Sequence, residues 1–261
     1  MSIKYVLLAT EGPHDQAAVG KFLKLCGLKD FKEEFRGESK FLDPFWTGFV
    51  PTYPKRGKLY ERMDMPSIFT SSTHSVAVYQ GGGSDLTKNL IAIITAYPQY
   101  AQSIYAFGLI VDADAKQPSL IAKRYAQDLR QLLPSIADAP GVITTGTPRT
   151  GIYVLPNNKE LGVLDTVLVN CSSVVYPEHK VGAELFLKGL SNSNMSHWKP
   201  FDRQKAVVAS IVSVLKPGMA NTPSIAQDNW ISEQTVNNIA EVAMLKQFIE
   251  DLLELSSVEG D

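Results

Sequence analysis

Hydrophobic residues along this chain alternate between two styles. Short solid apolar runs are followed by longer stretches in which apolar positions recur every three to four residues. The first run, KYVLLAT at 4–10, carries β-branched residues and ends in the turn-forming Glu11-Gly12-Pro13. It predicts a buried strand that stops in an acidic loop. Over 14–26, Ala17, Ala18, Phe22, Leu23 and Leu25 suit a helix, which Gly27 stops. Strand signals return in SVAVYQ (75–80) and IYAFGLIV (104–111). Between them Gly81-Gly82-Gly83 turns the chain, and Ser84 or Asp85 can cap a helix running to about Tyr97. A helix from about Ser119 to Leu133 comes next, then a pair of strands within 142–155, of which Gly151 to Leu155 is the stronger. This alternation predicts an α/β fold, a mostly parallel sheet flanked by helices.

Two regions depart from the alternation. Residues 31–74 are rich in Pro, Gly, Lys and aromatics and show no clear period. They read as an irregular insertion that could hold a hairpin, Trp46 to Tyr53 with Lys58 to Arg62, or act as a lid. From Glu178 onward the chain turns helical, over 178–190, 200–216 and 232–255. The expected organisation is an α/β domain over 1–175 and a helical C-terminal extension over 176–261 packed on it.

Composition changes this picture little. With 261 residues, 44% of them hydrophobic and 20% charged, the chain is long enough for a substantial core. A net charge of −2 provides no global attraction to nucleic acid or anionic lipid. Any nucleic-acid contact then needs a local basic patch or bridging metal ions. Cys26 and Cys171 lie in apolar segments without metal spacing and read as buried thiols, which fits a reducing cytoplasm. The start, MSIKYVLLATEG, has neither the apolar length nor the cleavage site of a signal peptide. No run approaches the ~20 apolar residues of a membrane span, so a cytoplasmic protein is expected.

The chemistry concentrates at strand ends. Glu11 and Asp15 follow the first apolar strand, and Asp112 and Asp114 close the strand at 104–111. Ligands bind outside the carboxyl ends of strands in parallel sheets. If the two strands are neighbours, four carboxylates meet in one pocket. Close like charges raise one another's pKa or demand a cation, and oxygen ligands suit a hard divalent ion such as Mg²⁺, or Mn²⁺. The implied chemistry is phosphoryl or phosphodiester transfer. A Glu-Gly pair alone carries no signal, and a lone Asp-x-Asp after a strand carries little. The information is in their conjunction on two apolar strands.

VLLATEGPHD and GLIVDAD together resemble the Toprim domain, shared by topoisomerases, DnaG-type primases, OLD-family nucleases and small stand-alone proteins. Its pattern is a hydrophobic strand ending in Glu-Gly with an Asp soon after, and a later strand ending in Asp-x-Asp. The resemblance covers about 3–170 and implies a Toprim-like, Rossmann-like sheet. The triple glycine, and GIYVLPNNKELGVLDTVL, are similar to the stand-alone and OLD-like branch. In that branch a Leu-Glu pair supplies a carboxylate to a second metal. Here the matching residue is Asp165, one methylene shorter, a departure that bears on the second-metal geometry. DRQKAVVASIVSVLKPG is similar to a C-terminal helix bearing a lysine, at Lys205. The resemblance implies Glu11, Asp15, Asp112, Asp114 and Asp165 around the metal positions, with Glu11 and Lys205 in catalytic roles. Lys205 also fits a plain solvated helix lysine.

Absences narrow the role. Zinc-ribbon cysteines are missing, which argues against a primase, and no GxxxxGK[ST] occurs, so an OLD-type ATPase would be a separate partner chain. Lys55, Arg56, Lys58 and Arg62, interleaved with Tyr53 and Tyr60, suit single-stranded nucleic acid but equally a solvated loop, and Lys116 joins them as a weaker candidate. His14 adjoins the acidic site and could contact phosphate; Trp46, Trp198 and Trp230 read as packing residues. The leading expectation is a Mg²⁺-dependent nuclease-like protein acting on DNA or RNA. The alternatives are a non-catalytic metal- or nucleotide-binding partner module, for example in defence against phage or mobile DNA, and a nucleotide-sugar transferase using DxD, in which EGxxD on the first strand is not expected.

Overall fold

In the computed structural model, residues 2–31, 44–49, 66–191 and 195–255 are described. The strands are β1 (Lys4–Thr10), β2 (Lys29–Asp30), β3 (Ser67–Thr70), β4 (His74–Gln80), β5 (Ala106–Asp112), β6 (Ile143–Thr144) and β7 (Arg149–Leu155). They form one sheet in the order β2-β3-β4-β1-β5-β7-β6. The four central strands β4, β1, β5 and β7 run parallel, and the short outer strands pair antiparallel. Helices cover both faces: α1 (Pro13–Leu25), α2 (Leu86–Ala96), α3 (Gln99–Ser103), α4 (Pro118–Leu129), α5 (Leu164–Val175), α6 (Pro177–Lys188), α7 (Asp202–Leu215), α8 (Asn221–Gln227), α9 (Glu233–Asn238) and α10 (Ala240–Leu253). The α/β fold with a mostly parallel sheet is therefore as the sequence leads one to expect.

Strand alternation divides the core in two. Val6 and Leu8 of β1 join a cluster with α1, α5, α7 and α10, whereas Leu7 and Ala9 point into a second cluster with α2, α4 and the 3₁₀ turn Pro44–Phe49. Both faces of β1 are buried, which is why its sequence reads as a solid apolar run rather than an alternating one. Within the stretch read as irregular, Ser67–Thr70 forms a strand, and Trp46 sits fully buried with its indole N–H donating to Ser75 Oγ at 2.9 Å. Trp46 belongs to a 3₁₀ turn and not to a hairpin strand; the rest of that expected hairpin lies outside the described residues. Helices α5 and α8 were not anticipated, and the helical stretch at 232–255 is interrupted at Ile239, which divides α9 from α10.

The last helix packs directly on the sheet. A Cβ at Gly108 of β5 would stand 2.6 Å from Leu252, and one at Gly151 of β7 would stand 2.9 Å from the Phe248 ring. The two glycines create the shallow seat that α10 occupies. Gly151→Val is therefore expected to destabilise the fold by about 1–3 kcal/mol through overpacking, read as a lower urea midpoint at unchanged slope; an unchanged midpoint would refute this account of the seat.

The C-terminal end of α10 is pinned at the N-terminal ends of the parallel strands. Glu254 accepts from Lys4 Nζ at 3.3 Å, from Tyr105 Oη and from Arg149 at 2.8 Å. Arg149 also donates to the carbonyls of Asp251 and Leu252, and His74 Nε2 lies 2.9 Å from Leu253 O. The opposite, carboxyl edge of the sheet is where Glu11 and Asp112 lie. Among the described residues, no helix is long and apolar enough to cross a membrane.

Candidate functional site

β1 and β5 are direct neighbours, with Thr10 opposite Ile110. Their carboxyl ends therefore deliver Glu11 and Asp112 to neighbouring positions, which the strand pattern allows without dictating. Past Thr10 the chain enters α1 through Gly12 and Pro13. Asp15, in the first turn of α1, folds back so that the Gly12 N–H donates to its Oδ2 at 3.0 Å. That contact caps the helix and fixes Asp15 beneath the Glu11 loop. The triple glycine completes the loop: the Gly83 N–H donates to Glu11 O at 2.8 Å and the Gly81 N–H to Thr10 O at 3.0 Å. Gly82 and Gly83 achieve this at φ of 81° and 65°, a left-handed backbone open to glycine.

On the β5 side, Asp112 Oδ1 accepts from the Leu164 N–H at 2.8 Å, and Asp114 exchanges backbone hydrogen bonds with Gly162. Asp112 thus caps the N-terminus of α5, whose first turn carries Asp165. Asp114 is exposed, at a φ of 50°.

The electrostatics show how close these groups stand. Burial, then the Glu11 charge, raises Asp15 from 3.8 to about 7, with Asp165 adding to the rise and the Gly12 N–H opposing it. Asp112 is held well above the usual carboxylate range by burial, then by Asp15 and Glu11. Burial also raises Glu11, against a hydrogen bond from Tyr125; Asp114 adds to the rise and Arg124 opposes it. Asp165, only 8% exposed, is raised by burial and pulled back by the charges of His14 and Lys205. The charges acting most strongly on Asp15 and Asp112 are other carboxylates.

The structure thus brings Glu11, Asp15, Asp112, Asp114 and Asp165 into one electrostatic neighbourhood and sets His14 and Lys205 beside Asp165. Lys205 is more than half exposed and 3.4 Å from Asp202. Lys116 is exposed in the turn after Asp114. Lys55, Arg56, Lys58 and Arg62 lie outside the described residues. Among the described residues, no three His, Cys, Asp or Glu side chains converge tightly enough to enclose an ion. The donor chemistry nevertheless fits a hard divalent cation: all-oxygen, mutually repelling, and buried at Asp15 and Asp165. Mg²⁺ characteristically keeps several waters and takes only one or two carboxylates.

Sequence reasoning missed Tyr125. Its hydroxyl, on α4, donates to Glu11 Oε1 at 2.7 Å, and Arg124 stands beside it with its guanidinium 4.4 Å from the Tyr125 ring. The periodicity of α4 places Tyr125 on the buried face but says nothing of what its hydroxyl reaches. The backbone donors at Gly83 and Leu164 were equally invisible, since they depend on chain geometry rather than residue type. Cys26 and Cys171 take no part: burial pushes both thiols up to about 12.

A family model described as "Protein of unknown function (DUF3226)" matches residues 5–254. Among curated proteins, the sequence finds no match. Among solved structures, the fold is similar to that of the hypothetical protein PH0156 from Pyrococcus horikoshii OT3, with a TM-score of 0.53 and 13% identity over 97% of each chain. At that identity the likeness shows the fold alone.

Proposed function

The chain belongs to the DUF3226 family, whose description assigns no activity, and from its site we propose a Toprim-like, Mg²⁺-dependent phosphodiesterase acting on nucleic acid. The observation that carries this reading is the convergence of Glu11 and Asp15 with Asp112 and Asp114 at the carboxyl ends of two adjacent parallel strands. Glu11, Asp112 and Asp114 would hold the cation, with Asp15 and Asp165 available as further carboxylates. A bound divalent cation supplies neutralisation of phosphate charge and activation of water.

The chain's own residues set up the rest. Tyr125 orients the Glu11 carboxylate through one oxygen and leaves the other free. The Leu164 N–H does the same for Asp112. Lys205, beside Asp165, would place positive charge where a phosphodiester accumulates negative charge, and His14 stands beside the same carboxylate. Cleavage of single-stranded DNA, double-stranded DNA and RNA with Mg²⁺ or Mn²⁺ tests the proposal. Cation-dependent hydrolysis of at least one of them is expected; no hydrolysis of any, by protein that binds Mg²⁺, would reject it.

A second reading, a non-catalytic metal- or nucleotide-binding module that partners a separate ATPase or other protein, draws on one specific observation. At the position that matches the second-metal carboxylate of the resembling family stands Asp165, one methylene shorter than glutamate. In either reading Tyr125 orients a ligand. Tyr125→Phe is expected to raise the Mg²⁺ concentration for half-maximal thermal stabilisation about tenfold, the usual effect of losing an outer-shell partner. An unchanged titration would remove Tyr125 from the site.

A further inference from the structure

The outer face of α6 is apolar where a surface helix should be polar. Val181, Leu185 and Phe186 are 57%, 63% and 61% exposed, and Val214 on the adjoining α7 is 68% exposed. Phe186 and Val214 line a groove of about 650 Å³ between α6 and α7, rimmed by Glu178, His179, Ser210 and Ser213. Clustered exposure of this kind marks an interaction surface rather than scattered surface apolarity.

Two further features say what covers it. The first is Gly182, in the middle of α6. Its backbone is helical, and a Cβ built there would meet nothing within 4 Å. Nothing among the described residues calls for glycine there, and a glycine in a helix interior costs about 1 kcal/mol relative to alanine. A glycine on an exposed apolar face permits close approach by another backbone. The second is charge. At 100° per residue, Glu178, Gly182, Leu185 and Gly189 share one line along α6, flanked by Val181 and Phe186. Glu178 begins the face and Lys188 ends it, and neither forms an ion pair among the described residues.

We propose that this face binds a second copy of the chain through antiparallel pairing of α6. A two-fold axis midway between Gly182 and Leu185 makes the surface self-complementary, as an isologous interface requires. Leu185 then seats over the second copy's Gly182. Glu178 comes within reach of the second copy's Lys188, and the reverse pair forms at the other end. The contact lies towards the C-terminal end of α7, and Lys205 lies in that helix's first turn, about 14 Å away along the axis. Dimerisation therefore leaves the carboxylate site open and does not depend on what that site does.

Sedimentation velocity on the full chain from about 1 µM to about 1 mM tests the pairing. A helix pair this short buries less than the roughly 800 Å² per partner of standard interfaces, so a dissociation constant on the order of micromolar is expected. Leu185→Glu should weaken it at least about a hundredfold while the circular dichroism stays that of the parent. Glu178→Lys and Lys188→Glu should each weaken the dimer, and the double variant should restore it, a pattern that a purely structural role for either residue would not give. Gly182→Ala should raise the thermal stability of the monomer while weakening the dimer. A wild-type chain that stays monomeric throughout overturns the proposal. So does a dimer that Leu185→Glu leaves intact, or charge variants whose combination does not recover.

Discussion

Asp112→Asn is expected to reduce cation-dependent phosphodiester cleavage on the order of a thousandfold, equivalent to about 4 kcal/mol of transition-state stabilisation, while the fold survives. Asp112 does two things at once. Its Oδ1 accepts the Leu164 N–H at 2.8 Å and so caps α5. Its charge, added to those of Asp15, Glu11 and Asp114, is what would draw a cation into the pocket under the proposed function. Asparagine retains the acceptor and removes the charge. Alanine removes both, and loss of the cap costs about a further 1 kcal/mol. Comparing the two substitutions separates chemistry from structure: cleavage should fall equally in both, whereas the urea midpoint should fall clearly only in Asp112→Ala. Cleavage that persists in Asp112→Asn would place the reacting centre elsewhere. A matching loss in Glu11→Ala is expected on the same grounds, because Glu11 approaches from the neighbouring strand.

Asp15 yields a second large effect, visible without any substrate. Its carboxyl is raised from 3.8 to about 7 in the folded chain. A raised acid binds more protons folded than unfolded, so the stability it contributes is fully present below about pH 4 and is lost as pH rises through 7. The metal-free protein should therefore lose stability steadily between pH 4 and 8. Asp15→Asn should flatten that decline, since an amide does not titrate and its oxygen still accepts the Gly12 N–H. At pH 8 the variant escapes up to about 4 kcal/mol of carboxylate penalty. Against that stands about 1–3 kcal/mol for burying amide N–H groups unpaired, so a net gain on the order of 1–2 kcal/mol remains. Mg²⁺ should raise the melting temperature of the parent more at pH 8 than at pH 5, and that of Asp15→Asn much less at either. A parent whose stability is flat from pH 4 to 8 would show that Asp15 is not held in a raised state.

The sequence carried the frame of this site because the frame is made of strands buried on both sides. KYVLLAT and IYAFGLIV read as interior strands, and carboxylates just beyond them then fall at the carboxyl edge of the sheet. Adjacency of the two strands could not be read from the chain; it follows from β4-β1-β5-β7 pairing, which the alternation of elements allows without dictating. The groups that hold these carboxylates were hidden for a different reason. Tyr125 is one of several apolar-face residues on α4, and only the packing distance between α4 and the Glu11 loop decides that its hydroxyl meets a carboxylate. The triple glycine was legible as a turn. That its N–H groups hold the Glu11 and Thr10 carbonyls depends on left-handed dihedrals, which residue type permits but does not specify. Helix α5 went unread because its residues, LDTVLVNCSSVV, are mostly β-branched or small polar types with modest helix preference. Tertiary packing of Leu164, Val167, Leu168 and Cys171 makes it a helix.

The clamp on Glu254 has a consequence for the order in which the chain can assemble. Lys4 and Glu254 are 250 positions apart, and Arg149 reaches forward about a hundred to the same carboxylate. While the ribosome is still adding residues 240–254, the parallel strands can already pair, yet the seat at Gly108 and Gly151 lies bare to water. Closure of so long a loop is entropically slow and raises the contact order of the whole fold. Nascent chains stalled before α10 should consequently hold a formed but sticky sheet, the kind of intermediate that holdase chaperones recognise, and maturation becomes a single late event in which the final helix covers the bare seat.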